Sequence, residues 1–523
     1  MQKLLIVPRL RQLIRQQLHR LNRRQRIQPL LLIAAPLYLY LNLFTFTNVP
    51  FLLGGDQTFF WIYALRMLRG DRVYRDFFQF TPPGADLFYL ALFRLFGPHL
   101  WVTNFAVLLL GVALCWVCFL LAQRLMDRDL ALLATLLFLV FVYGDRLDAT
   151  HHWFSVLAGL CAVRVVMPER TLPRIAIAGV LLGVASFFTQ TTGVAGLLAL
   201  IASLAWEHAS SERPWRIILK QQFFACIAFG LAWSVLSAYF IAHSGWRQLW
   251  YLQVTYPQHY VVSRHEFFFP EFHGPLTLHL LVEQAQRLLL YVLLIGIYPP
   301  VLWYCWRRRR KPPSQDKMQL VLLSLVGLSF LLAIITRVNW NRIYIVSMPA
   351  IILLLWGVAR LGRLRSYATA AIWVIIACVA AKQIRSRQHP PHRIALLPAG
   401  KAVVSAESDE KFYWLMQHTS PGDLFFQAQW IYLYPTLTLE LRSPAFVEDL
   451  RPSEATRPEY VELTVRQVEQ QQVKYILWSP RLVSLDEPHR YGQDHLGLFR
   501  TFLTSNYRRV QVFSDRDEIW ERR

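Results

Sequence analysis

The chain has 523 residues, of which 55% are hydrophobic, 14% aromatic and only 17% charged, with a mean hydropathy of +0.31; this is too apolar for an ordinary soluble enzyme. A formal charge of +22 does not point to nucleic acid, because residues 1–389 carry 39 Lys/Arg against 15 Asp/Glu while residues 390–523 carry 16 against 18. Basic residues confined to the neighbourhood of apolar runs are what anionic headgroups and the positive-inside rule produce, whereas a nucleic-acid domain needs a basic patch on a folded surface.

Residues 1–28 carry basic residues at helical spacing with no small-residue cleavage site behind them, and are expected to form a cytoplasmic basic amphipathic segment on the membrane surface. Apolar runs then predict about eleven spans, near 30–47, 100–122, 130–143, 152–167, 175–188, 193–206, 221–242, 286–306, 318–335, 343–359 and 367–381, several of them shorter than the roughly 20 residues that cross a bilayer unaided. With a cytoplasmic N-terminus the inner segments hold 24 basic residues and the outer loops, although longer, hold 10. The run Arg307 to Lys311 is the strongest inner anchor, and Lys382, Arg385 and Arg387 after the last span run against it. The balance places residues 390–523 outside. All six cysteines lie in apolar runs and none follows Cys378, so the tail is built without disulfides. Helices are expected there at 408–418, 458–471 and 493–504 and strands at 424–427, 474–478 and 509–513. That is a small α/β domain without a phosphate-binding glycine pattern.

Residues able to do chemistry gather in the outer loops. In the first, Gly54 to Gly97, Asp56 follows two glycines just past the first span, where a carboxylate is partly desolvated and able to accept a proton; an Asp there is equally suited to N-cap the helix that follows. Asp145, Asp148, His151 and His152, in GDRLDATHHWF, combine carboxylate and imidazole in a pattern that suits a divalent metal, a helper to a base, or a polar cap on the next helix. Between Tyr256 and His279, four histidines including His265 interleave with Arg264, Glu266, Glu271 and many aromatics. Their irregular spacing fits an interfacial belt or contact with an acceptor or headgroup better than a metal site. Arg337 and Arg342 lie at the outer end of a late span, where guanidinium groups either anchor the interface by snorkelling or grip an anion.

Asp56 followed by Ala64, Gly70, Tyr74, Asp76, Phe77 and the Pro82-Pro83-Gly84 turn resembles the first loop of the GT-C superfamily of membrane glycosyltransferases, in its protein-mannosyltransferase and aminoarabinose-transferase-like branch. Asn341-Arg342-Ile343-Tyr344 through Pro349 resembles that branch's Arg-Tyr...Pro segment, and the plan of many spans before an extracytoplasmic α/β tail matches as well. Gln57 departs from the pattern, since many relatives carry a second carboxylate at this position. The resemblance implies a transmembrane glycosyltransferase domain over 29–389 and an extracytoplasmic domain over 390–523, in the plasma (inner) membrane. It implies a polyprenyl-phosphate sugar donor, an acceptor lipid, glycan or protein, and inversion at the sugar carbon. Such chemistry needs a base for the acceptor hydroxyl and cations for the phosphate leaving group. The implied catalytic carboxylates are Asp56, with Asp145 and Asp148 behind it. The implied substrate contacts are Arg337, Arg342, Tyr344, Tyr74, Asp76, His151, His152, Arg264 and His265, and a divalent metal is a further possibility with no assigned ligands.

A secondary transporter is the rival expectation. Transporters carry ionisable or helix-breaking residues near mid-membrane, often in two repeated halves; here Arg164 is nearly the sole charge inside a span and polar residues collect in loops on one side. A non-catalytic assembly protein whose tail binds partners is a third.

Overall fold

The computed structural model describes residues 27–211, 214–258, 277, 292–307, 315–335, 340–389, 393–428, 434–451, 456–483 and 496–523. The expected interfacial helix lies outside the described residues up to residue 26, as does most of the Arg307 to Lys311 run. The first apolar run is α1 (Ile27–Leu43); two shorter helices follow, α2 (Gln57–Leu68) and α3 (Gly84–Phe96). Next come α4 (Leu100–Ala122), α5 (Arg128–Phe138, prolonged by a π-helical turn Leu139–Tyr143), α6 (His151–Val166), α7 (Leu172–Phe188), α8 (Gln190–Ser211) and α9 (Trp215–Ser244). The membrane part ends with α10 (Tyr298–Arg307), α11 (Gln315–Ala333), α12 (Trp340–Val346), α13 (Met348–Val358) and α14 (Leu364–Gln388). Where they are described, the apolar runs expected from the sequence fall mainly on helix, although residues 44–47 of the first lie beyond α1. By length and composition, five helices suffice to cross a membrane, namely α4, α8, α9, α11 and α14, and α1, α6, α7 and α13 are shorter apolar helices.

Burial sorts these helices. In α4, which has no charged residue, 61% of the apolar stretch is buried, against 17% in α9 and 6% in α14, so α4 is central and the other two present Phe223, Leu231, Val235 and Val374 outward. The π turn after α5 accommodates Tyr143, whose hydroxyl donates to the Val107 carbonyl of α4 at 2.6 Å. Between α7 and α9 the contact is backbone to backbone: a Cβ on Gly179 would stand 2.5 Å from the Ala225 carbonyl oxygen and one on Gly183 2.6 Å from that of Phe229, the small-residue packing that replaces hydrophobic driving force in lipid.

The tail begins with an antiparallel hairpin, β1 (Arg393–Leu397) and β2 (Gly400–Val404), and continues with α15 (Ala406–His418). Ser405 caps α15 by accepting from the Ser408 amide at 3.2 Å, and Glu407 and Asp409 in its first turn suit the positive end of the helix dipole. Then come β3 (Phe425–Ala428), α16 (Pro458–Gln470), β4 (Tyr475–Trp478), α17 (Gly497–Asn506), β5 (Tyr507–Val512) and β6 (Glu518–Arg522). The sheet order is β3-β4-β6-β5, with β3 and β4 parallel across the connection that contains α16 and the other pairs antiparallel. All residues of β3 and β4 are buried, as suits strands covered on both faces. The three expected strands appear within about two residues; β1, β2 and β6 were not expected.

The tail is seated on the segment between α1 and α4. Leu52 and Val403 exchange backbone bonds with that junction, Leu52 N to Val403 O at 2.9 Å and Val403 N to Pro50 O at 2.9 Å. One apolar cluster runs unbroken from Leu110 of α4 through Trp61 of α2 to Tyr434 and Leu437 of the tail. Tyr434 stacks edge-on to Trp61 at 5.4 Å and donates its hydroxyl to the Leu53 carbonyl at 2.5 Å.

Candidate active site

The start of α2 sets the site. Gly55 has φ +87°, a conformation that residues with a Cβ rarely adopt, and it turns the chain so that Asp56 is already helical at φ −61°, ψ −22°. In that conformation the Asp56 side chain makes no capping hydrogen bond; the Gly55 carbonyl accepts both the Thr58 amide at 3.1 Å and the Thr58 hydroxyl at 2.8 Å. The carboxylate is therefore exposed, without a hydrogen-bonded or ion-paired partner among the described residues. Capping is not what it is used for.

Gln57, the departure from the family pattern, is buried and holds two loops together: its Nε2 donates to Gly54 O at 2.9 Å and its Oε1 accepts from Ala149 N at 3.1 Å. This clip brings Asp148 within the field of Asp56. Asp148 is half-buried and accepts from the Trp153 indole at 2.5 Å. Burial pushes its carboxyl up to about 7, opposed by the Trp153 bond and reinforced by the negative charge of Asp56. His151, at the start of α6, shares a hydrogen bond with the Thr189 hydroxyl at 2.8 Å, lies 5.4 Å from the Phe60 ring of α2 and 3.9 Å from the His152 ring. The charge of Arg342 on α12 reaches His151. Carboxylates and a guanidinium are thus gathered around the His151 end of α6.

The tail supplies the remaining wall. Arg451 lies over the Phe59 ring at 5.0 Å and its Nε donates to Asp449 Oδ2 at 2.8 Å. Asp449 is buried, its carboxyl raised by burial, lowered by Arg451 and raised again by Asp56. The segment is pinned by Arg66 of α2, which donates to Glu448 Oε1 at 2.6 Å, Ala445 O at 2.9 Å, Asp71 Oδ2 at 2.7 Å and Asp76 O at 3.1 Å. Burial raises the Glu448 carboxyl and Arg66 opposes it.

The other expected residues fall elsewhere. Asp145 is exposed, 3.6 Å from Arg146 Nε, and its charge is felt at Tyr38 of α1. Arg146 in turn lies over the Tyr344 ring at 5.5 Å. Tyr74 is buried, its hydroxyl donating to Thr81 O at 2.7 Å and accepting from Gln253 Nε2 at 2.7 Å, and Asp76 closes the adjacent turn by accepting from the Arg72 amide at 2.7 Å. Arg337, Arg264 and His265 lie outside the described residues. Asp449 and Arg451 are at the site although nothing in the sequence singles them out, since VEDLRP in the tail reads as an ordinary polar loop, and Gln57 stands out in the sequence only as a missing carboxylate. Nor does the sequence single out Asp86, wholly buried in the first turn of α3 with Gln79 Nε2 at 3.1 and 3.3 Å from its oxygens and its carboxyl driven up to about 8 by burial. Among the described residues no three His, Cys, Asp or Glu side chains are grouped to hold a metal ion. Asp148 and Asp449 are already engaged by Trp153 and Arg451, so no metal-dependent step is derived.

ArnT from Cupriavidus metallidurans superposes on 94% of this chain and 97% of its own length with a TM-score of 0.58 at 14% identity. The fold is the one seen in ArnT. The same protein bound to undecaprenyl phosphate matches over the same shares with a TM-score of 0.56 at 13% identity. The oligosaccharyltransferase of Archaeoglobus fulgidus, in complex with Zn and sulfate, matches over 86% of this chain and 67% of its own with a TM-score of 0.51 at 13% identity. No family model matches the chain, and no curated protein does. Among the described residues the chain is mostly helical, with five helices long and apolar enough to cross a membrane and a small C-terminal sheet region.

Proposed function

We propose that this protein is an inverting membrane glycosyltransferase that takes its sugar from a polyprenyl-phosphate carrier. The observation that carries the reading is Asp56: an exposed carboxylate that makes no cap bond and whose charge reaches Asp148, three residues before His151, where the charge of Arg342 is felt in turn. In the reaction, Asp56 takes the proton of an acceptor hydroxyl as its oxygen bonds to the anomeric carbon. The bond from that carbon to the phosphate oxygen breaks on the opposite face, and polyprenyl phosphate leaves as an anion held by Arg342. Fixed dipoles and charges around the reacting atoms lower the barrier because they need no reorganisation. Asp148 and Asp449 flank the base, and Arg451 offsets part of their charge.

The same reading gives the chain about eleven spans, an N-terminus in the cytoplasm and residues 390–523 outside the plasma membrane, sealing the site from above. ArnT, superposable end to end and observed with undecaprenyl phosphate, supports a lipid-phosphate donor here; sugar and acceptor are left to experiment. Deleting the gene should make one polyprenyl-phosphate sugar accumulate while one extracytoplasmic glycan or lipid loses that sugar. An unchanged lipid-linked sugar pool would count against the reading and favour a transporter.

A further inference from the structure

At the far end of α6 from His151, about 20 Å along the helix at ~1.5 Å per residue, three guanidinium groups converge. Arg124 follows α4, Arg164 lies in the last turn of α6 and Arg174 in the first turn of α7. Arg124 and Arg174 both stand near enough to Arg164 to oppose its charge. Two of the group's nitrogens, Arg164 Nε and Arg174 Nη1, are shut off from solvent with no hydrogen-bond partner among the described residues. Glu169 is 3.9 Å from Arg174 Nη2, while the other nearby acids are taken: Asp127 pairs with Arg365, and Glu207 with Arg170.

Three positive charges against one negative, with Arg164 Nε and Arg174 Nη1 closed to water, is an expensive arrangement on its own. Snorkelling accounts for Arg124, which is exposed, but not for these two nitrogens, since a snorkelling arginine delivers its nitrogens to water. The dipole at the C-terminal end of α6 favours a cation at Arg164 but leaves Arg124 and Arg174 uncompensated. What suits the geometry is an anion with several acceptor oxygens, which planar guanidinium groups hold in pairs of hydrogen bonds. We propose that Arg124, Arg164 and Arg174 bind the phosphate of an anionic phospholipid headgroup, in the leaflet opposite the candidate active site.

The test is thermal melting of the purified full-length protein in a neutral detergent, with phosphatidylglycerol, phosphatidylcholine or inorganic phosphate added at matched concentration. A ligand that binds only the folded state raises the midpoint by mass action. Phosphatidylglycerol should raise it by several degrees over phosphatidylcholine, and Arg164→Gln and Arg174→Gln should each abolish that difference. Arg216→Gln, an exposed arginine on α9, should retain it. Because each substitution removes repulsion and an unpaired donor, both variants should melt at or above the wild type in phosphatidylcholine. Equal shifts by the two lipids, or a difference that persists in both variants, would overturn the proposal. So would variants that melt well below the wild type in phosphatidylcholine, which would make these arginines structural. An equal shift from inorganic phosphate would move the assignment from lipid to a soluble phosphate.

Discussion

Arg66 is where α2 and the tail are fastened, and its removal should open the site. Its side chain and that of Glu448 are 9% and 4% exposed, and the two meet at 2.6 Å. Replacing Arg66 with Met keeps the apolar stem over Phe77, which the guanidinium now covers at 4.9 Å, but strands a buried carboxylate. Breaking a buried pair from one side costs about 3–5 kcal/mol, which is roughly a 10²–10⁴-fold rise in the open population. The relevant assay is hydrogen exchange of the amides in α2 and in residues 434–451, which should lose protection together while the amides of α4 do not. The penalty should depend on pH. Without Arg66 the docked state favours the protonated form of Glu448 more strongly still, so stability is lost as pH rises above the unfolded carboxylate value of about 4.3, and the protection factors, which divide out the base-catalysed intrinsic rate, should be lower at pH 8 than at pH 5. Adding Glu448→Gln to Arg66→Met removes the stranded charge and should restore much of the protection. Wild-type exchange in Arg66→Met, or no recovery in the double variant, would refute the reasoning.

Asp86 and Arg342 give further outcomes, as does topology. Asp86 is held up to about 8 by burial, so between the unfolded value near 4 and pH 8 the folded state binds the extra proton and stability falls as pH rises; Asp86→Asn should flatten that slope and melt above the wild type at pH 9, measured by thermal denaturation across pH. Arg342→Ala should lower transfer strongly with insertion intact, and Arg342→Lys should rescue poorly because a point charge does not reproduce the fork; normal turnover in both would make Arg342 an interface anchor. Reporters fused after Arg307 should be cytoplasmic and those at Gly84 or Arg523 external, and a cytoplasmic C-terminal reporter would invert the placement of the tail.

Much of the scaffold was legible because membrane helices announce themselves by composition: α4 reads as a span from its residues alone. In the tail, β3 and β4 are short apolar runs bounded by turns, and they were found. β6, Glu518–Arg522, is half charged, and its pairing with β4 depends on Ile519 and Trp520 meeting Leu477 and Ile476, which no local pattern reveals. Asp56 was legible through its place in the first loop, but whether it capped α2 was decided by Gly55 and by the Thr58 bonds to the Gly55 carbonyl. Asp449 and Arg451 were illegible for a different reason. They reach α2 from nearly 400 positions away in the chain, through a contact such as Arg66 to Glu448 with a separation of 382. Gln57 gave a signal that was read only as a missing carboxylate; its work as a clip to Ala149 is tertiary.

The central claim is that Asp56 is the base, and Asp56→Asn tests it most directly. Asn keeps the size of the side chain and, since Asp56 makes no cap bond, its loss of charge should leave α2 intact. The purified variant should be compared with the wild type for transfer from the polyprenyl-phosphate sugar identified by the deletion, alongside donor binding and melting temperature. A positioned general base contributes about 10²–10⁴-fold, so the account predicts a loss of that order with binding and melting near wild type. Transfer by Asp56→Asn within a few fold of the wild type would contradict it and pass the role to Asp148.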